Sequence, residues 1–301
     1  MKAIVIGNTT LDVLCYHVDE VPRHDSLVFE HVLLCPGGCG SNVAIGLQSL
    51  GVNTALVTTI SDDDAYATVE AIWQQVGLDT GFVRRVSGAA PAVSIGLVDS
   101  AYQPRFIHTP GANHHLTSLD LAVDDYIAWG AQALMVAGFF VLPGLLDGNL
   151  PAVLADMQQR GILTFMDVAN AKRMDEHPGF LWDCLPHLDY FVCNTPEAQR
   201  LSGKTTSEEA AKFLRMCGAR TAIVKLGAAG CWAESEGWSG HVPGVAVAHV
   251  IDTTGAGDAF AAGLIAATLA GKALPAACAA ANAAGARMVS VRGAISAWLN
   301  A

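Results

Sequence analysis

The sequence predicts an α/β fold in which a mainly parallel β-sheet is flanked by helices, with a small β-sheet beside it. Three observations support this prediction. Short apolar runs alternate with helical patterns along the chain, and two other segments have the pattern of extended strands. Hydrophobic residues make up 52% of the 301 residues and charged residues 15%. This composition and length fit one large domain with a small appendage.

Six apolar runs are predicted as strands of the large sheet, because each has the length of a buried strand and precedes a helical pattern. They cover residues 3–6, 54–60, 133–137, 162–166, 190–193 and 221–226. The helical patterns are predicted to cover both faces of the sheet. The six clearest cover residues 42–50, 65–76, 151–160, 207–217, 259–270 and 274–289.

Residues 12–34 and 91–107 interrupt this alternation, and their apolar residues recur at every second position, as in Val93, Ile95 and Leu97. We predict that the two segments pair into one small β-sheet that forms a lid over an edge of the main domain. Two unrelated hairpins or loops are the alternative. The prediction is thus a single domain over residues 1–301 that carries this lid.

The net charge of -11, without a run of basic residues, argues against a nucleic-acid partner. A nucleotide remains compatible, because a helix N-terminus and Mg²⁺ act at short range. The eight cysteines are scattered without the spacing of a zinc site. No apolar stretch has the length of a membrane span or a signal peptide. We therefore expect a cytoplasmic protein with reduced thiols and no membrane partner.

Residues 251–260 read Ile-Asp-Thr-Thr-Gly-Ala-Gly-Asp-Ala-Phe and pass from a strand end through a turn of small residues into a helix. Backbone N–H groups of Gly255, Ala256 and Gly257 would point outwards together, where a helix N-terminus attracts anions. Asp258 would stand in the first helical turn, with an ionised carboxylate able to accept a hydroxyl proton. Taken alone, an Asp at a helix start is also explained by helix stability.

Residues 36–44 read Pro-Gly-Gly-Cys-Gly-Ser-Asn-Val-Ala and precede a predicted helix. Gly38 would let a polyol approach the backbone, and Asn42 offers both a donor and an acceptor to hydroxyl groups. A simple turn followed by a helix cap is the alternative. Asp12 follows the first predicted strand, where its carboxylate could accept hydrogen bonds from two hydroxyls or merely cap a turn.

Together these segments resemble the two signatures of the ribokinase-like, or PfkB, family of carbohydrate kinases, whose C-terminal pattern is Asp-Thr-x-Gly-Ala-Gly-Asp-x-Phe. Similarities extend from Asp12 to Gly293. The resemblance implies a ribokinase-like three-layer fold and ATP-dependent phosphorylation of a hydroxyl on a small sugar-like molecule. It also implies that Asp258 is the general base, that Gly255, Ala256 and Gly257 form the anion hole, and that Mg²⁺ bridges the ATP phosphates.

On the acceptor side, the resemblance assigns Asp12, Gly38 and Asn42 to substrate binding. Residues 105–113 resemble the family's segment that returns from the lid to the core, which makes Arg105 and His108 candidate contacts. Asp167 opens a segment loosely similar to that of some hexose and keto-sugar-acid kinases. The same segment includes Asn170, Lys172 and Arg173.

The acceptor itself stays open. Ribose, a ketohexose and a sugar acid all fit the resemblance, and a nucleoside kinase of the same fold is the alternative. A catalytically silent sugar-binding or regulatory module is a further alternative, against which the intact Asp258 argues.

On the nucleotide side, residues 193–198 resemble the family's Asn-x-x-Glu segment, which implies that Asn194 and Glu197 organise Mg²⁺ and phosphate through water. Lys225, Gly227 and Gly230 correspond to the nucleotide loop, although a lone Lys at a strand end is usually solvated. Asn282 falls on a helix that resembles the wall of the adenine pocket, and an ordinary helix Asn is the competing interpretation.

Many members of the family hold a monovalent cation beneath the anion hole. Asp252, Thr254, Ser290 and Gly293 fall at corresponding places, so K⁺ is a further candidate cofactor beside ATP and Mg²⁺. Relatives also often pair their lids. We therefore predict a homodimer through the lid, with an apolar contact surface formed by Val28, Val32, Val93, Ile95 and Leu97.

Overall fold

The computed structural model describes residues 1–101, 104–169 and 178–299. Asn170, Lys172 and Arg173, which the sequence suggested beside Asp167, lie outside these residues. In the described part of the chain the strands are β1 (Lys2–Gly7), β2 (Thr10–Tyr16), β3 (His31–Gly37), β4 (Asn53–Ser61), β5 (Val83–Val86), β6 (Val93–Val98), β7 (Pro104–Thr109), β8 (Ala133–Ala137), β9 (Leu163–Asp167), β10 (Tyr190–Asn194), β11 (Thr221–Lys225), β12 (Gly230–Ser235) and β13 (Ser239–Pro243).

The α-helices of the same ranges are α1 (Cys39–Ser49), α2 (Ala67–Val76), α3 (Val123–Trp129), α4 (Leu150–Gln159), α5 (Pro178–Cys184), α6 (Thr195–Ser202), α7 (Ser207–Met216), α8 (Ala256–Leu269), α9 (Leu274–Met288) and α10 (Ser296–Leu299). No helix in these ranges is both long enough and apolar enough to cross a lipid bilayer.

The large sheet has the strand order β13-β12-β11-β10-β9-β8-β1-β4-β5. All neighbours from β11 to β5 are parallel, while β12 and β13 are antiparallel additions. The carboxyl ends of the parallel strands therefore meet at one edge of the sheet. Asp167, Asn194 and Lys225 end β9, β10 and β11 at this edge, which is where ligands bind in open α/β sheets.

Side chains of β1 alternate between two hydrophobic cores on opposite faces of the sheet. Ala3 and Val5 pack in the core formed with α1, α8 and α9, whereas Ile4 and Ile6 pack in the core formed with α4 and α7. Both faces of this parallel sheet are thus covered by helices, as the near-continuous apolar runs predicted. The predicted three-layer arrangement is confirmed.

Helix α1 begins at Cys39, three residues before the predicted start. The side chain of Asn8, in the loop after β1, accepts the N–H of Cys39 at 2.9 Å and so caps the helix from a distant segment. Gly38 precedes the helix with φ +84°, and a Cβ there would stand 2.5 Å from the carbonyl oxygen of Asn8. Only glycine permits this close approach.

The small sheet has the strand order β3-β2-β6-β7. Strand β2 pairs antiparallel with β3 and parallel with β6, and β6 pairs antiparallel with β7. The two segments that the sequence singled out thus lie in one sheet, separate from the large one. The prediction of a small sheet is confirmed, and two unrelated hairpins are excluded.

The register of the small sheet separates two faces. Asp12 lies opposite Ser94, and Ser94 lies opposite His108, so these three residues share one face. Leu97 lies opposite Arg105 and belongs to the other face. That second face is apolar, with Val13, Val32, Leu34, Val93, Ile95 and Ile107 among its residues.

Candidate active site

Asp258 stands in the first turn of α8, as predicted. Its Oδ2 accepts a 2.8 Å hydrogen bond from Nδ2 of Asn42. Asn42 lies inside α1 rather than at its N-cap, so the capping alternative is excluded. Among the described residues, the buried Oδ1 of Asn42 has no hydrogen-bond partner. This oxygen is a ready acceptor for a hydroxyl group beside Asp258.

Burial, followed by the charge of Asp167, raises the pKa of Asp258 to about 7. The hydrogen bond from Asn42 and the nearby charge of Lys225 act in the opposite direction. A carboxyl with a pKa near neutral pH is suited to accept a proton and to release it again.

Lys225 ends β11 against the glycine turn before Asp258. Its Nζ is 3.0 Å from the position that a Cβ on Gly257 would take. Burial opposes its charge, but the carboxylates of Asp167, Glu197 and Asp258 hold the pKa of Lys225 above its ordinary value. Lys225 is thus a charged group of the site rather than a solvated strand-end lysine.

Asp167 is buried at the end of β9 and accepts the N–H of Gly138 at 2.6 Å. Burial raises the pKa of Asp167, and the charge of Lys225 opposes that rise. The structure therefore brings Asp167 together with Lys225 and Asp258, at the carboxyl edge of the large sheet.

Cys39, the first residue of α1, is a site residue that the sequence did not suggest. Its Sγ would be 3.1 Å from a Cβ on Gly138. Burial, and then the charges of Asp258 and Asp167, raise the pKa of this thiol well above its usual value. Cys39 is therefore a neutral thiol beside Asp258, and only its place within the first glycine segment could have indicated it.

Asp12 lies inside β2 on the face of the small sheet that carries Ser94 and His108. Its Oδ1 accepts a 2.6 Å hydrogen bond from the hydroxyl of Thr10. Burial raises the pKa of Asp12 to about 6, against the effect of this bond. A Cβ on Gly37, in the neighbouring strand, would overlap the Asp12 carboxyl group. Asp12 thus does not cap a turn.

The sequence suggested Arg105 as a contact of the substrate, and the structure gives its side chain partners within the protein. Its position in β7 places it on the face opposite to Asp12. Its guanidinium donates to the carbonyl oxygens of Val18 at 2.6 Å and Asp19 at 2.9 Å, so it holds the chain that leaves β2. Of the two candidates in that segment, His108 is the one that shares a face with Asp12.

A cavity of about 720 Å³ opens beside the glycine turn. Five of the six predicted nucleotide residues line it, namely Asn194, Lys225, Gly227, Gly230 and Asn282. Ala256 and Gly257 of the predicted anion hole also line it. Much of the remaining wall is apolar, formed by Val245, Val247, Val250, Phe260 and Val289.

Asn194 and Glu197 form a capping box at the start of α6. Asn194 Oδ1 accepts the N–H of Glu197 at 2.9 Å, and Glu197 Oε2 accepts the N–H of Asn194 at 2.7 Å. Burial raises the pKa of Glu197, while the hydrogen bond from the N–H of Asn194 and the charge of Lys225 oppose this rise. Both residues therefore have a structural role, and one carboxylate oxygen of Glu197 is not used by the capping box.

Asn282 donates its amide group to the carbonyl oxygens of Val242 at 3.2 Å and Pro243 at 3.0 Å. It therefore joins α9 to the end of β13 and fixes one wall of the cavity.

Three of the four predicted cation residues lie together. Asp252 Oδ1 accepts the N–H of Thr254, and Asp252 Oδ2 accepts the N–H of Gly293, each at 2.9 Å. The buried hydroxyl oxygen of Thr254 has no hydrogen-bond partner within the described ranges. Ser290 instead donates to the carbonyl oxygen of Ala286 at 3.3 Å and is exposed.

The model of the pfkB family of carbohydrate kinases matches residues 2–301. The chain belongs to this family. The predicted family is thus confirmed, and the chain is a phosphotransferase that acts on a hydroxyl group.

This pfkB-family kinase is 28% identical over 274 residues to aminoimidazole riboside kinase of Salmonella typhimurium, which covers 88% of this chain and 80% of that protein. It is 26% identical over 302 residues to ribokinase of Haemophilus influenzae, which covers 97% of this chain and 94% of that protein. The solved structure of Arabidopsis thaliana ribokinase with ribose and ATP has a TM-score of 0.84 at 24% identity, covering 98% of this chain and 95% of that chain. This last likeness confirms the ribokinase-like fold.

Proposed function

We propose that this pfkB-family kinase transfers the γ-phosphoryl group of ATP to a hydroxyl of a small sugar or sugar-like molecule. The supporting observation is that Ala256 and Gly257, the two residues before Asp258, line the 720 Å³ cavity. Asn42, in the helix that follows strand β3 of the small sheet, donates a hydrogen bond to the carboxylate of Asp258. A nucleotide in the cavity and an acceptor on the small-sheet side would therefore meet at Asp258.

In this mechanism Asp258 accepts the proton of the acceptor hydroxyl while the acceptor oxygen bonds to the γ-phosphorus. The bond from the γ-phosphorus to its bridging oxygen breaks and ADP leaves. Backbone N–H groups of Gly255, Ala256 and Gly257 donate to the phosphoryl oxygens as their charge grows. Lys225, which lies against Gly257, adds a fixed positive charge at the same place.

The residues present fit the two cations that the family implies. The carboxylate oxygen of Glu197 outside the capping box suits water-mediated binding of Mg²⁺, which keeps several waters and prefers oxygen ligands. Mg²⁺ on the ATP phosphates supplies charge neutralisation during transfer. The unpartnered hydroxyl of Thr254 would offer an oxygen ligand to K⁺, and Asp252, which accepts the N–H of Thr254, would supply negative charge next to it.

For the acceptor, we propose that Asp12, the Oδ1 of Asn42 and His108 receive the hydroxyl groups. Gly38 permits close approach of the acceptor to the backbone, and Asp167 closes the site from the large sheet. One similar protein is an aminoimidazole riboside kinase, which favours a riboside as the second candidate acceptor. A silent sugar-binding module is not favoured, because Asp258 keeps both its place and a pKa suited to proton transfer.

We propose that the small sheet acts as a lid of a single kinase domain in the cytoplasm. Its apolar face, formed by Val32, Val93, Ile95 and Leu97 together with Leu34 and Ile107, would pair with a second copy of the chain. Val32 is 56% exposed and Ile107 62%, which supports a partner for this face. Val28 lies in the connection between β2 and β3 rather than on the face.

The proposal is tested by measuring ADP release over a panel of sugars, sugar acids, sugar phosphates and nucleosides, with ATP and Mg²⁺. We expect at least one acceptor to give saturable turnover, and we expect Asp258→Asn to lower this turnover about 10²- to 10⁴-fold. If the acceptors bind equally well to the wild type and to Asp258→Asn, and neither protein releases ADP, the silent module would be favoured instead.

A further inference from the structure

Residues 252–257, which precede and begin helix α8, are called the anion-hole turn here. Tyr16 joins the small sheet to the loops around this turn. Its side chain is 1% exposed, and its Oη donates a 3.1 Å hydrogen bond to Oδ2 of Asp252. The same buried carboxylate accepts the N–H of Thr254 and the N–H of Gly293. One carboxylate thus holds together strand β2, the turn before α8 and the segment after α9.

The segment after α9 is in turn packed against the anion-hole turn. A Cβ on Gly255 would stand 2.5 Å from the carbonyl oxygen and 2.6 Å from the Cα of Ala294. At this distance neither segment can move towards the other, so the position of residues 293–294 limits the position of Gly255. Gly255 is the N-cap of α8, and it therefore sets the direction of the N–H groups of Ala256 and Gly257.

The ring of Tyr16 is held in position by its neighbours. The Arg292 guanidinium lies 5.1 Å from the ring centroid. Leu33, on the neighbouring strand β3, lies beside Gly293. A Cβ added to Gly293 would be 2.8 Å from Cδ2 of Leu33. Burial, and then the charge of Asp252, raise the pKa of Tyr16, so its hydroxyl stays a donor at neutral pH.

We infer that Tyr16 is a positioning residue that transmits the position of the small sheet to the anion hole through Asp252. This inference rests on the proposed function. With the sheet in place, Asp252 has three donors and fixes Thr254 and Gly293. When the sheet moves away, the carboxylate loses the Tyr16 donor and the turn is less restrained. The anion hole is then complete only when the acceptor site is also closed, which disfavours transfer to water.

The kinetic test is Tyr16→Phe, which keeps the ring against Arg292 and removes only the hydroxyl. We expect kcat to fall about ten- to a hundredfold, the scale of a misplaced catalytic donor. The KM of the acceptor should change much less, because Asp12 and Asn42 are intact. The matched control is Tyr126→Phe, a buried tyrosine in the core on the α4 side of the large sheet, and it should keep wild-type kcat. D-ribose, or the best acceptor of the panel, is the probe.

A second readout does not depend on activity. In the protein without acceptor, Tyr16→Phe should speed amide hydrogen exchange in residues 252–257 and 290–294 relative to the wild type, and leave residues 133–137 unchanged. Wild-type exchange in both segments, or a kcat within about twofold of the wild type, would overturn the positioning role. Failure of the wild type on every acceptor would contradict the proposed function, and the exchange measurement would then decide the inference alone.

Discussion

Nδ2 of Asn42 donates a 2.8 Å hydrogen bond to Oδ2 of Asp258, across 216 positions of sequence. The bond links helix α1 to helix α8, which begins at the proposed anion hole. It favours the charged form of a carboxyl whose pKa burial raises to about 7. An amide on the acceptor side therefore controls how readily the proposed base takes a proton.

Asp258→Asn should lower kcat about 10²- to 10⁴-fold, the usual scale for loss of a general base, while ATP affinity stays close to that of the wild type. Purified variant and wild type would be compared by ADP release and by nucleotide titration. Near wild-type turnover in the variant would rule out Asp258 as the base.

The same carboxyl should make the protein less stable as pH rises. Because the pKa of Asp258 is higher in the folded state than its ordinary value of 3.8, the folded state binds the proton more tightly. The contribution of the protonated Asp258 carboxyl to the free energy of unfolding is complete below about pH 4 and is lost as pH rises through about 7. Melting at pH 8 should therefore give Asp258→Asn a higher Tm than the wild type, and the difference should shrink at pH 5.

Asn42→Ala should move the acidic limb of the pH profile of kcat/KM to higher pH, because the Asn42 bond lowers the pKa of Asp258. The rate at pH 7 should also fall roughly ten- to a hundredfold, the scale of one hydrogen bond to a charged group. Asn53→Ala, at an exposed position at the start of β4, is the control. An unchanged acidic limb would show that the bond does not act on the base.

Lys225→Ala should weaken ATP binding about ten- to a hundredfold and leave acceptor binding nearly unchanged, since Lys225 lines the cavity proposed for the nucleotide. Separate titrations of ATP and acceptor measure the two effects. Lys212→Ala removes an exposed lysine paired with Glu208 and should alter neither. A loss of acceptor affinity with ATP affinity intact would reverse the assignment.

Asp12→Ala should raise the acceptor KM about ten- to a hundredfold with ATP binding unchanged, because a carboxylate that accepts hydroxyl donors is lost. Asp25→Ala, at an exposed position between β2 and β3, is its control. Hydrogen exchange should show residues 12–34 and 91–107 becoming protected together when acceptor is added. Independent behaviour of the two segments would contradict a shared lid.

Much of this site could be predicted because its motifs are local. The turn of residues 252–257 determines where α8 begins, and the ends of parallel strands meet at one edge whatever the rest of the chain does. Strand boundaries followed from apolar runs, as in the predicted 190–193 and the observed Tyr190–Asn194.

Other features depend on contacts between residues that are far apart in sequence, which a local sequence pattern cannot predict. The face on which Arg105 lies could not be predicted, because the face of a strand residue depends on register, and a shift of one position reverses it. Helix α1 begins earlier than expected because Asn8, 31 residues away, caps it. Tyr16 meets Asp252 across 236 positions, so neither residue could indicate the other in sequence.

Gly37 has an unusual consequence for how this chain can vary. It lies in strand β3 without left-handed backbone, yet a Cβ there would overlap the Asp12 carboxyl group. A side chain at position 37 is excluded because the Asp12 side chain occupies the space, and not because the backbone conformation requires glycine. Positions 12 and 37 are therefore epistatic. Substitutions at 37 should be tolerated only in backgrounds where position 12 is already small, and such backgrounds have lost the carboxylate proposed to hold the acceptor.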